Sequence, residues 1–418
     1  MHRFWSDRFW RNINQMYDTN LDRTLLQLAA YCRASDWAGY DPYDALTSKW
    51  MKRLPLLNSS VPRIAMTQAL KRSPINLRGV LAIPKTQNPK ALALFLSSLV
   101  LLDAELYPGR GEEIRRLIEL IKEKRSSDTT YWNWGYSFPW QTRKEVVPAG
   151  WPNLVCTTFV ASGLMDAYES LGDSDCLAMA VSAAEYIVDK LYWSDAKGIE
   201  SFSYPQPLVP SQTHNANFLA SGLLCRIYKH TKQQRLLAPA LGVARCSVQK
   251  QRPDGSWYYG ESPSQAWIDN FHSGYNLRAL RSIGAQLGTT EFEPSVKRGF
   301  EFYRAHFFRD NGAVKYFHDR NYPIDTHCIA ESMLTLVDLA DLSEENVGLA
   351  SGVFQWAMTH MWDERGFFYY RKLRLGTVRT SYMRWSQAWM MLAMASLRAK
   401  TRKSTERFAP ETVFVAGT

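Results

Sequence analysis

A chain of 418 residues that is 46% hydrophobic and 22% charged has ample apolar surface for a folded core, which excludes disorder and leaves two domains or one large closed architecture. Its 15 Trp, 21 Tyr and 19 Phe exceed what such a core needs and suggest a sticky groove. Fifty Lys and Arg against 40 Asp and Glu give +10, which favours an anionic partner without choosing among nucleic acid, lipid surface and acidic polysaccharide.

The opening residues, Met1 to Asp7, contain no apolar targeting core, and residues 1–14 precede the first periodic stretch as an extension. The longest apolar runs, such as Ala91–Leu96, fall short of the roughly 20 residues of a membrane span. Six scattered cysteines, at 32, 156, 176, 225, 246 and 328, form no CxxC pair, so reduced thiols and a cytoplasmic location are expected.

From residue 15 onward, one-sided and all-round apolar segments alternate. An amphipathic stretch over 15–32 is followed by Ala91–Leu102, apolar on nearly every face apart from Ser97 and Ser98. Ile114, Leu117, Ile118 and Ile121 then follow the i, i+3, i+4, i+7 spacing of a surface helix. Next, Trp134-Gly135-Tyr136 precedes an apolar segment over 153–168 and an amphipathic one over 173–192. The same unit recurs with Gly198 before 214–228 and 234–250, Gly255 before 269–280 and 293–307, Gly312 before 325–337 and 343–361, and Gly366 before 382–397. Aligning Thr157, His214, His272, His327 and Trp385 gives spacings of 57, 58, 55 and 58 residues.

Helices apolar all round must lie inside, and one-sided helices must cover them. Six of each predict an all-α (α/α)6 toroid over residues 15–400, with an inner ring of six parallel helices inside an outer ring. Parallel inner helices place their N-termini, and the glycine–aromatic loops before them, at one end, where the site is expected. Residues 401–418 read as a flexible polar tail.

At that end stand His214 and Asn215, then Asp269, Asn270 and His272, then Asp325 and His327. The loops add Trp134, Tyr136, Trp140, Gln141, Arg143, Tyr204, Trp257, Tyr259, Glu261, Tyr322 and Arg384. Rings, amides, carboxylates and guanidinium groups together suit a sugar, whose hydroxyls need donors and acceptors, and six helix N-termini favour a carboxylate or phosphate. Plainer roles compete: Asn153, Thr213, Asp269 and Asp325 stand where N-caps are needed, the histidines can be packing residues, and Trp257 reads as a turn anchor. His214, His272 and His327 have a zinc-compatible inventory, but ligands on three separate helices lack diagnostic spacing, so no metal or other cofactor is expected. Nucleic acid is disfavoured because the basic residues form no block, and nucleotide-binding, serine-hydrolase and zinc-protease motifs are missing from the sequence.

Five segments occur in order: Gly39-Tyr40-Asp41-Pro42-Tyr43-Asp44-Ala45-Leu46, Trp134 through Arg143, Pro152 through Thr157, Asp254-Gly255-Ser256-Trp257, and Trp267 through Tyr275. Over roughly residues 36–398 the chain resembles the VpsJ-type polysaccharide-biosynthesis proteins of the six-hairpin glycosidase-like superfamily. The resemblance implies a toroid, bacterial exopolysaccharide or surface-glycan production, and association with polysaccharide-assembly machinery. It brings no catalytic assignment.

Three functional readings follow. In the first, a proton is abstracted beside a uronate carboxylate by a lyase or C5-epimerase, with Asn270 and His272 central, Tyr259 or Tyr136 as acid or base, and Arg384 clamping the carboxylate. His327, Asp269 and Asp325 join the catalytic candidates. In the second, Asp269 and Asp325 act as the carboxyl pair of an inverting glycoside hydrolase, with Glu261 or Asp254 in reach. The third is a glycan-binding or assembly component without turnover. Titratable residues gathered where helix ends focus a field favour an enzyme.

Overall fold

The computed structural model describes residues 7–50, 59–127, 130–142, 145–205 and 210–407. In chain order the helices are α1 (Asp7–Ala34), α2 (Ser60–Arg72), α3 (Pro89–Leu101), α4 (Arg110–Glu123), α5 (Leu154–Leu171), α6 (Ser174–Tyr186) and α7 (His214–Thr231). They continue as α8 (Gln234–Val248), α9 (Asn270–Leu287), α10 (Glu293–Phe307), α11 (Thr326–Asp338), α12 (Asn346–Met361) and α13 (Ala388–Arg407).

Burial follows the two sequence patterns. Every residue of α3 from Pro89 through Leu99 is buried, whereas α4 buries only the stripe Glu113, Ile114, Leu117, Ile118 and Ile121. The buried helices α3, α5, α7, α9, α11 and α13 pack each on the next, and α13 returns to α3 to close the ring. Helices α4, α6, α8, α10 and α12 cover the inner helices that precede them, and α1 covers α13. The molecule is the (α/α)6 toroid that the alternation implies. No described helix is long and apolar enough to cross a membrane.

Side-chain caps start four of the inner helices: Asn88 accepts from the Lys90 amide, Asn153 from Cys156, Asp269 from His272 and Asp325 from His327, at 2.9–3.1 Å. Each such cap stabilises its helix by about 1 kcal/mol. Thr213 stands in the cap position of α7 but makes no cap, and its hydroxyl is buried without a partner among the described residues. Short strand pairs brace the loops that lead into the inner helices, among them 140–141 with 146–147, 192–194 with 200–202, and 324–325 with 371–372.

Three features depart from the sequence pattern. Residues 7–14 belong to the long helix α1, and α13 runs on to Arg407, so only 408–418 of the expected tail lie outside the described residues. Helix α2, weakly amphipathic, falls outside the sixfold alternation and packs at the mouth against the turn at 44–47 and the strand at 140–141. All six cysteines are free thiols, five of them buried.

Candidate functional site

The N-terminal ends of the inner helices surround a cavity of about 1170 Å³. Its floor is a ring built by one rule. Counting from each N-cap, the second residue of every inner segment lines it: Lys90, Val155, Asn215, Phe271, His327 and, in the π-helical turn before α13, Arg384. The walls are aromatic, with Tyr136 stacked on Phe138 at 5.7 Å and Trp140 edge-on to Tyr136, and Tyr204, Tyr259 and Trp267 facing the same space. Flat rings suit sugar faces, and the volume admits more than one sugar unit.

At the start of α9 the capping aspartate does two jobs. Asp269 Oδ1 accepts from the His272 amide at 3.0 Å, and Oδ2 meets His272 Nδ1 at 2.7 Å. The Trp267 indole donates to the same Oδ2 at 3.1 Å. Asp269 is 3% exposed, so this three-donor environment fixes it. With Nδ1–H committed to a carboxylate, the lone pair of His272 resides on Nε2, which has no partner among the described residues, on a side chain 21% open to the cavity. Tyr259 stacks on Trp267 at 4.6 Å and lies 4.6 Å, ring to ring, from His272. Burial, reinforced by Tyr204 and Asp269, pushes the Tyr259 hydroxyl well above its usual pKa, so it remains a proton donor.

The corresponding residues of α11 are spoken for. Asp325 is fully buried, bound by Arg371 at 2.6 and 2.8 Å and by the Trp385 indole at 2.8 Å, and it does not line the cavity. His327 is stacked between Phe271 and Trp389, with Nε2 2.5 Å from the Tyr275 hydroxyl. Burial and the nearby cations Lys90 and Arg384 hold its pKa well below the usual histidine value, so the ring is neutral.

Several other sequence candidates serve the scaffold. Asn270 is fully buried and bonds Ser332 and Tyr303 behind the helix, away from the cavity. Trp134 and Trp257 anchor loops through indole bonds to the carbonyls of Ile121 and Ser247. Gln141 bonds Arg63 and Thr142, and Tyr322 precedes a cis proline; neither lines the cavity. Arg143 lies outside the described residues. His214 is buried and holds Glu261 at 2.9 Å, so Glu261 reaches the cavity while His214 does not. That bond, with Lys250 at 3.4 Å, holds the Glu261 carboxyl below its usual pKa. Asn215 lines the floor with its carbonyl oxygen buried and without a partner among the described residues, an acceptor that can take a donor. Arg384 lines the floor but is bidentate to Asp41 at 2.6 and 2.9 Å, so most of its charge is met internally.

The three histidines do not converge, and the described residues contain no group of three or more His, Cys, Asp and Glu arranged to hold a metal. They occupy different steps after the cap: His214 is first, His327 second and His272 third. Each step turns about 100° round the helix, which separates them. Lys90 was not among the candidates of the sequence reading; its signal is a lone lysine after Asn88-Pro89 at the head of an otherwise apolar helix.

No protein-family model matches the chain, and no curated protein does. Solved structures match along most of its length. A GH76 α-mannanase from Bacteroides thetaiotaomicron aligns at 13% identity over 78% of this chain and 90% of its own, with a TM-score of 0.60. The cellobiose 2-epimerase of Spirochaeta thermophila aligns at 16% identity over 76% and 86%, with a TM-score of 0.57. UGL, an unsaturated glucuronyl hydrolase solved as a variant with dGlcA-Glc-Rha-Glc, aligns at 15% identity over 75% and 87%, with a TM-score of 0.56. At these identities the likeness establishes the fold, the (α/α)6 toroid.

Proposed function

We propose that this protein is a carbohydrate-processing enzyme that removes a proton from a sugar carbon, as a lyase or epimerase acting on an anionic, uronate-type saccharide. The observation that carries the reading is the pair Asp269–His272, joined at 2.7 Å, with Nε2 of the histidine free toward an aromatic cavity. An oriented imidazole beside a buried carboxylate is a general base, because the carboxylate stabilises the imidazolium that forms. Tyr259, kept protonated by burial, is the acid that returns a proton or meets a leaving oxygen.

A uronate fits because its carboxylate, once neutralised, stabilises the carbanion formed next to it. The cavity floor carries two basic side chains, Lys90 and Arg384, and the chain carries +10 overall. Toroids of the same superfamily include a cellobiose 2-epimerase and a glucuronyl hydrolase solved with dGlcA-Glc-Rha-Glc. An inverting hydrolase built on Asp269 and Asp325 is disfavoured, since Asp325 is locked on Arg371 outside the cavity. Bacterial exopolysaccharide or surface-glycan production is the setting we infer from the sequence resemblance, and a cytoplasmic location accords with six unpaired thiols.

The test is proton NMR in D2O with a panel of uronate and neutral oligosaccharides, followed over hours. Loss of a carbon-bound proton signal, or new unsaturated-ring signals, in the wild type but not in His272→Ala is expected. New reducing-end signals without carbon deuteration would replace the reading with hydrolysis, and line broadening without product would replace it with binding alone.

A further inference from the structure

Lys90 is the second residue of α3, behind the Asn88 cap and Pro89, and it is 3% exposed. Its amine lies 3.8 Å from the centre of the Phe159 ring, with Trp389 at 5.1 Å and Tyr275 at 5.7 Å. Among the described residues no carboxylate, carbonyl or hydroxyl takes its protons. A lysine this deep is ordinarily paired, because an uncompensated buried ammonium is costly.

The ring faces relieve that cost only in part, and two other neighbours add positive potential. The first turn of α3 is the positive end of the helix dipole, the wrong end for a cation. Arg384 stands beside Lys90 in the floor ring, because α13 closes on α3, and the hydrogen bonds of Asp41 go to the arginine. The carboxylates of the cavity are committed elsewhere: Asp269 to His272 and Trp267, Glu261 to His214 and Lys250, while Glu145 stands exposed at the rim. The ring therefore holds one amine that no described anion meets, aimed into a space sized for sugars.

We propose that Lys90 is the anion-binding residue of the cavity: it takes the carboxylate of a uronate unit and so selects acidic over neutral saccharides. This rests on the uronate reading above and moves the carboxylate contact from Arg384, already spent on Asp41, to a residue whose amine meets only ring faces among the described residues. The groups that face the Lys90 amine are Arg384 and Asp41 at the closure of the ring, Cys156 on α5, Tyr275 on α9, and His327 and Glu331 on α11. Asp41 and Glu331 each have their own arginine, Arg384 and Arg278. Burial, with Arg384 next, holds the amine well below the usual lysine pKa. A carboxylate favours the charged form, so binding draws in a proton and weakens as pH rises.

Calorimetry of the intact protein with D-glucuronate and D-glucuronamide, equal in shape and different in charge, reads this directly. The wild type is expected to bind the acid about tenfold tighter, with proton uptake, measured in buffers of different ionisation enthalpy, for the acid and not the amide. In Lys90→Met the preference disappears while glucuronamide affinity stays within about twofold. A Lys90→Met protein that keeps the preference overturns the proposal. If that variant does not fold, the wild type decides: preference with proton uptake supports the proposal, and equal affinity or no binding of the acid overturns it. Failure of the proton-transfer reading is separate. Glucuronate bound through Lys90 without carbon deuteration keeps Lys90 and removes the enzyme, and carbon deuteration by a wild type that shows no preference for the acid does the reverse.

Discussion

The starts of α9 and α11 carry the same parts, an aspartate cap followed by a histidine, yet the two regions differ in everything chemistry requires. Asp269 turns both oxygens toward His272 and Trp267 and leaves Nε2 of the histidine free in the cavity. Asp325 turns one oxygen toward Arg371 and the other toward Trp385 and a backbone amide, and its histidine is clasped between rings. A single residue of spacing separates them: His272 is third after its cap and His327 second, about 100° apart round the helix. Repeat register places a residue at the mouth; its step after the cap and its partners decide whether it is available.

The sharpest way to break this contrast is to remove each histidine. His272→Ala is expected to lower the rate of carbon deuteration by about 10³-fold, within the range for loss of a general base, with little change in thermal stability. His327→Ala opens a void among Phe271, Trp385 and Trp389 and is expected to cost about 3 kcal/mol in urea unfolding. If the stability loss falls on His272 and its deuteration rate survives, the assignment of the two regions is reversed.

The aspartates give the second test. Asp325→Asn leaves the Arg371 guanidinium, 8% exposed, without its counter-charge, and breaking a buried pair in this way costs about 3–5 kcal/mol. Asp269→Asn retains a capping oxygen, so its stability cost should stay under about 1 kcal/mol. Its deuteration rate should nevertheless fall by about 10²-fold or more, because an amide neither fixes the tautomer of His272 nor stabilises its cation. Chemical denaturation and the deuteration assay on the same two preparations separate the effects.

The alternation of one-sided and all-round apolar segments made the toroid legible, because burial on every face is a property of the segment itself. The mouth was legible for the same reason: parallel inner helices fix which loops share an end. Aligning histidine with histidine put three residues into one apparent layer, whereas counting from the caps yields the layer the cavity shows, with Lys90, Asn215 and Arg384 in it. Asn88 before Lys90 and Asp269 before His272 are local signals and can be read from sequence. The pairing of Asp41 with Arg384 cannot, since 343 residues separate them and only ring closure brings them together. Asn270 misled because its neighbours in sequence face the cavity while it sits one step away on the helix and bonds Ser332.

A finer test removes one hydrogen bond from each region and leaves the ring in place. Trp267→Phe deletes the indole donor to Asp269 Oδ2 while an aromatic face remains to stack on Tyr259. Asp269 then has only His272 at that oxygen, so the carboxylate that orients the imidazole is held less firmly. A net hydrogen bond contributes roughly 1 kcal/mol, so kcat should fall about fivefold with KM nearly unchanged, the signature of a positioning residue. Trp385→Phe deletes the matching donor to Asp325, but Arg371 and the His327 amide still hold that carboxylate. Its cost should appear as about 1 kcal/mol of unfolding free energy. A KM effect without a kcat effect in Trp267→Phe would make Trp267 a wall of the sugar site and leave His272 to be oriented by Asp269 alone.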